Sequence, residues 1–159
     1  MTTAQLLTQL PALQIVVTLV ASPLCVLARR PRAAWGIAVT ANVAAAAIAW
    51  ALLAEVLENG TIRYAVGGWA APSGIEYYID TMNATVLVLV SSIAAVVLLY
   101  ARASVDKSVE TAKHYLFYAA WLLCVTGLMG IAITGDAFNV FVFLEISSLA
   151  TYMLVAFGD

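Results

Sequence analysis

The 159-residue chain is 64% hydrophobic and 10% charged, against roughly 45–50% and 25% in soluble domains, which excludes an ordinary water-soluble fold. Its formal charge of -2 leaves no basic excess to neutralise phosphates, so nucleic acid is excluded as a partner. Cys25 and Cys124 lie far apart in apolar runs, and with one histidine they supply neither a disulfide framework nor a zinc or haem ligand set.

A bilayer core about 30 Å thick takes about 20 apolar helical residues to cross. Five windows reach that length: residues 3–28, 33–57, 82–101, 114–134 and 137–158. They predict an all-α integral membrane fold, one membrane domain over residues 1–159 with no room for a soluble one. The first window has no Lys or Arg before Arg29. It therefore lacks the positive start of a cleaved signal and reads as a span. Arg29, Arg30 and Arg32 separate spans one and two, and Arg102, Lys107 and Lys113 separate three and four, whereas the opposite side receives only Arg63. Short loops rich in Lys and Arg stay on the cytoplasmic side, so the N-terminus is placed outside.

The outer loop, residues 58–81, has its own pattern. Ile62, Tyr64 and Val66 alternate with Thr61, Arg63 and Ala65, which is strand periodicity. Gly67, Gly68, Pro72 and Gly74 break the chain, and residues 75–79 are again β-branched and aromatic. A short β-hairpin follows, packed against a neighbouring span or subunit, with Trp69, Tyr77 and Tyr78 near the lipid headgroups. Between spans four and five stand only Thr134, Gly135 and Asp136, so these helices are antiparallel neighbours. Gly135 is expected to end one helix in a left-handed conformation and Asp136 to cap the next. The competing reading of Asp136 is a carboxylate that gathers cations at the mouth of a pathway.

Glu145 falls eight residues into the last span, about 12 Å below its start at 1.5 Å per residue. An acid at that depth costs on the order of 2.5–3.5 kcal/mol, so it is expected to face protein or water. Its helical face carries Phe138, Phe141, Val142, Ser148, Leu149 and Tyr152. Ser148 and Tyr152 can hold water or donate a hydrogen bond, while the phenylalanines lower the local dielectric and favour the protonated carboxyl. A carboxyl driven between its two forms by a moving cation is a proton relay. The alternative is a permanently neutral carboxyl that fixes helix packing. His114 opens span four beside Lys113 and reads as an interfacial residue, with a relay at the pathway mouth as the alternative. Gln14, Asn42, Ser91, Ser92 and Thr126 read as interhelical hydrogen-bonding residues, and Gly127 and Gly130 as points of close helix approach. No HExxH, glycine-rich phosphate loop or Ser/His/Asp set occurs, so no enzyme active site and no cofactor site is read in the chain.

The run over residues 134–148, TGDAFNVFVFLEISS, closely resembles the fifth-helix motif of proton-translocating antiporter-like membrane subunits. The D-type subunit of multisubunit Mrp sodium/proton antiporters matches best. The N-type subunit of respiratory complex I and subunits of membrane-bound hydrogenases are similar. Residues 67–77, GGWAAPSGIEY, resemble the family's outer hairpin, followed by an aspartate, here Asp80, that opens helix three. The resemblance implies that Glu145 is the helix-five glutamate that pairs with a lysine on the seventh helix and helps move protons. Members of the family are longer and carry a second, inverted repeat, whereas this sequence ends at Asp159. The resemblance therefore implies a split or truncated subunit of a multi-pass prokaryotic cell-membrane complex. Other membrane subunits would complete it, one of them supplying an intramembrane lysine. A proton-pumping subunit of a complex I-like oxidoreductase or hydrogenase is the alternative.

Overall fold

The computed structural model describes residues 8–69 and 74–157. Residues 3–7 of the first predicted span, Pro72 in the outer loop and residue 158 of the last span lie outside the described residues.

Five helices of membrane-spanning length and apolarity account for most of the structure. The first, α1 (Leu10–Ala28), has Pro11 in its opening turn, where a missing N–H leaves no bond unmade, and it ends at Arg29 with φ of 50°. Arg30 is extended, as the residue before a proline prefers, and Pro31 opens α2 (Pro31–Asn59). After the hairpin, Asp80 caps α3 (Thr81–Ser108) by accepting the Asn83 N–H at 2.8 Å. A 3-10 turn over Thr111–Lys113 leads into α4 (His114–Ile133), and Asp136 introduces α5 (Ala137–Ala156).

The third helix does not stop at residue 101 but runs to Ser108, carrying Arg102 and Lys107 on its last turns rather than in a loop. Hydropathy marks where hydrocarbon ends, while backbone hydrogen bonding continues for as long as residues such as Ala, Arg and Lys tolerate the helix. At 1.5 Å per residue α2 and α3 are roughly 42–44 Å long, and each overshoots an apolar core of about 30 Å.

Helix α4 is the centre of the bundle, packing on α1, α2, α3 and α5. It is apolar all round and rich in small residues, the pattern of a helix without a solvent face. Between α1 and α4 runs a buried polar seam. Gln14 donates to Met129 Sδ at 3.0 Å, Thr126 donates to Thr18 Oγ1 at 2.7 Å, and Ser22 donates to the Ala119 carbonyl at 3.0 Å. Asn42 and Ser91, also buried, bond backbone carbonyls of their own helices instead.

Strands β1 (Ile62–Ala65) and β2 (Glu76–Ile79) form the expected antiparallel hairpin, with Ile62 opposite Ile79 and Tyr64 opposite Tyr77. Gly67 and Gly68 turn the chain with φ of 69° and 79°, a backbone conformation that a Cβ disfavours. The hairpin lies on this chain's own helix ends. The Asn83 side chain donates to the Tyr78 carbonyl at 2.7 Å, and the Tyr64 hydroxyl to Gln9 Oε1 at 2.6 Å. Period-two alternation turns Tyr77 and Ile79 inward, where both are buried, and leaves Tyr78 under the Arg63 guanidinium. Burial, together with the neighbouring Tyr64, raises the Tyr77 phenol above the ordinary tyrosine range.

Candidate functional site

The turn between α4 and α5 is built differently from the sequence expectation at one position. Gly135 is not left-handed; among the described glycines only Gly60, Gly67 and Gly68 have positive φ. Helix α4 instead ends at Thr134 in extended backbone, which pairs with Tyr77 as an isolated bridge, and the Gly135 N–H donates to the Glu76 carbonyl at 2.9 Å. A Cβ on Gly135 would lie 3.1 Å from Tyr78 Cβ. Close approach of strand β2, rather than helix termination, is what a side chain there would disturb. Asp136 is the cap: its two carboxylate oxygens accept the Phe138 and Asn139 N–H groups at 3.3 and 3.2 Å. Buried Asn139 donates to Thr134 Oγ1 at 3.0 Å, closing the turn.

From this turn α5 descends along α4 in tight contact. A Cβ at Gly127 would lie 2.7 Å from the Phe143 carbonyl oxygen and from the Ser147 backbone nitrogen, and one at Gly130 would clash with the Phe143 ring. The face of α5 turned to α4 is therefore Asn139, Phe143, Ser147 and Ala150, all buried. Of the most apolar window of α5 only 22% is buried, against 56% for the span containing α4, so α5 sits at the edge of the bundle.

The opposite face carries Glu145. Exposed beside it are Phe138, Phe141, Leu149 and Tyr152, and Ser148 is half-buried at the margin. The structure thus brings Glu145, Ser148 and Tyr152 onto one helix face, but among the described residues no hydrogen bond joins them. Within this chain no other helix covers Glu145, because α5 spends its packing face on α4 and points the acid away from the other helices. Among the described residues the ion pairs are Arg63 with Glu76 and Lys113 with Glu110, and His114 lies beside Asp106, none on this face.

Asp136 and His114 are not part of this cluster. Asp136 caps the start of α5, and His114 opens α4 at the other end of the bundle, about 30 Å away by the rise of twenty helical residues. His114 is also no exposed interfacial ring. It is 2% exposed, with Nε2–H donating to the Val109 carbonyl at 2.8 Å and Nδ1 lying 3.5 Å from Asp106 Oδ1. Sequence reading missed Thr18 and Ser22 in the buried seam. The successive spacing of four, Gln14 to Thr18 to Ser22, is the signal that would have found them.

No protein-family model matches the chain. Over 124 residues, 77% of this chain, it is 43% identical to the N-type subunit of NADH-quinone oxidoreductase from Desulforudis audaxviator, of which the match covers 25%. Over 107 residues it is 37% identical to the D-type subunit of the Na(+)/H(+) antiporter from Alkalihalophilus pseudofirmus, covering 67% of this chain and 21% of that protein. In structure, 97% of the chain superposes on 27% of a chain of the Mrp complex from Dietzia sp. DQ12-45-1b, with a TM-score of 0.79 and 28% identity. The chain therefore spans about a quarter of the length of these relatives, and in sequence and fold it belongs to the wider family of antiporter-like membrane subunits, a multi-pass membrane protein.

Proposed function

We propose that the chain is part of a membrane subunit of a multisubunit monovalent cation/proton antiporter, and that Glu145 is an acid of its proton pathway. The observation that carries this reading is the position of Glu145, mid-span on the one face of α5 that this chain leaves uncovered. A charge at that depth is stable only against protein or water. The covering element is a helix of a neighbouring segment or subunit with an intramembrane lysine. The lysine's approach holds Glu145 as the carboxylate, and its withdrawal lets the acid take up a proton, so that charge pairing gates protonation. Ser148 and Tyr152, on the same face, supply hydroxyls for a short water chain. The bundle end that carries Arg30, Arg32, Arg102, Lys107 and Lys113 is the cytoplasmic one, which puts the N-terminus outside. Residues 1–159 act as one membrane domain. Asp136 is a structural cap with room for a role at the outer mouth, and His114 serves the cytoplasmic end.

The test is Glu145→Gln in the assembled complex, with sodium- or potassium-driven collapse of a pH gradient measured in membrane vesicles. Loss of exchange with unchanged assembly is expected. Full exchange by the variant would leave Glu145 only a packing role. The 43% identity to an N-type oxidoreductase subunit favours a second reading, a redox-driven proton-pumping subunit. Copurification of iron–sulfur or flavin proteins would select it, and small membrane subunits alone would select the antiporter.

A further inference from the structure

At the bundle end opposite the hairpin, the start of α2, the last turns of α3 and the start of α4 enclose a cleft of about 650 Å³, lined by Arg30, Arg32, Arg102, Asp106, His114 and Tyr118 among others. That volume is in the range of small-molecule sites. Three guanidinium groups from two helices meet one carboxylate there, and Asp106 already faces His114. Among the described residues, none of the three arginines has a carboxylate within ion-pair distance. Arg102 lies over the Trp35 ring, 4.6 Å from its centroid, a stacking that holds the guanidinium plane while leaving its N–H groups unpaired.

Two further features point the same way. Tyr118 is 1% exposed, yet it lines the cleft, and its hydroxyl meets no hydrogen-bond partner among the described residues. The hydroxyl oxygen is not among the sealed polar atoms, so it is a donor open to whatever enters the cleft. Helix α2 also begins against the usual electrostatics: no acidic residue stands in its first turn, no side chain caps it, and Arg29, Arg30 and Arg32 surround the positive end of its dipole. The Arg32 and Ala33 amides of that turn have no intrahelical acceptor. An anion seated among these groups would complement all of them.

We propose that this cleft binds the phosphodiester headgroup of an anionic phospholipid. A lipid, rather than a free anion, fits a cleft at the end of membrane-length helices, and an apolar groove of about 500 Å³ runs between the two helices that the Arg29–Arg30 turn joins, lined by Val16, Val20, Leu24, Ile37 and Ala41 among others. Leu24 and Leu27 are exposed on α1 within two turns of the arginines. Acyl chains lie along this groove while the phosphate sits among Arg30, Arg32 and Arg102 and accepts the Tyr118 hydroxyl.

The experiment is purification of the full chain from vesicles of equal phosphatidylglycerol and phosphatidylcholine, with retained lipid counted by mass spectrometry. Wild-type protein is expected to retain phosphatidylglycerol preferentially. Arg30→Gln, Arg32→Gln and Arg102→Gln each lose about fivefold of that preference, from about 1 kcal/mol per basic residue at an anionic surface, and Tyr118→Phe loses less. Lysine at the same three positions keeps the preference, which separates lost binding from lost fold, and Arg63→Gln at the opposite end leaves it unchanged. Equal retention of the two lipids by wild type, or a preference indifferent to the glutamine variants, overturns the proposal. Displacement of the lipid by inorganic phosphate would assign the cleft to a free anion and overturn it as well.

Discussion

Gly127 and Gly36 offer the same chemical change in opposite surroundings. Both lie inside spans, so replacing either with alanine brings the same helix-propensity gain, about 0.8–1 kcal/mol. At Gly36 an added Cβ meets nothing within 4 Å. At Gly127 it meets the Phe143 carbonyl oxygen, the Ser147 nitrogen and Ser147 Cβ, each at 2.7 Å. Two of these atoms are backbone and cannot rotate away, so α5 as a whole must back off α4 by several tenths of an ångström. Overpacking of this kind costs about 1–3 kcal/mol. The difference between the two variants isolates that contact, because the propensity term cancels. Gly36→Ala is expected to equal or exceed wild type in stability, and Gly127→Ala to fall below it by up to about 2 kcal/mol once the propensity gain is subtracted. Reversible unfolding in mixed micelles, followed by helical circular dichroism, measures both. Equal stability of the two alanine variants would refute the close approach of α5 to α4 and, with it, the outward aim of Glu145.

The Thr18–Thr126 hydrogen bond should show a coupling near about 0.6 kcal/mol in a double-mutant cycle with valine at both sites, and no coupling would mean that the seam is not closed there. Asp136→Ala should weaken the start of α5 by about 0.5–2 kcal/mol and speed amide exchange at Phe138 and Asn139, whereas Asp136→Asn should keep the cap. Lost exchange activity in Asp136→Asn, with the cap intact, would give the carboxylate a role beyond structure. Tyr77 holds its proton more tightly when folded than unfolded. Its contribution to hairpin stability is therefore full below the unfolded tyrosine value of about 10 and is lost as pH rises toward the folded one. Alkaline titration of hairpin exchange should show this loss in wild type and not in Tyr77→Phe.

The number of spans, their order and the hairpin were legible because each depends on local properties. An unbroken apolar run must be helical in hydrocarbon, where no water satisfies the backbone, and the alternation around Tyr64 and Tyr77 can form only a strand pair with one face inward. Asp136 was legible for the same reason, since its cap involves residues two and three positions ahead. The left-handed Gly135 was the natural local expectation and it failed, because strand β2, distant in sequence, supplies the acceptor for its N–H.

Which face of each helix is covered was decided only in three dimensions. Five spans with apolar residues on every side carry no stripe that says where neighbours lie, so side-chain volume decides instead. The small residues of α4 draw the other helices around it, and Gly127 and Gly130 seat Phe143 and Ser147. That contact fixes the rotation of α5 and turns Glu145 outward. Tertiary packing likewise gathered Arg30, Arg32, Arg102 and Tyr118 around one cleft from three separate helix ends. Chain length and periodicity determine what can cross a membrane, but the docking of small residues against large ones determines which polar groups meet.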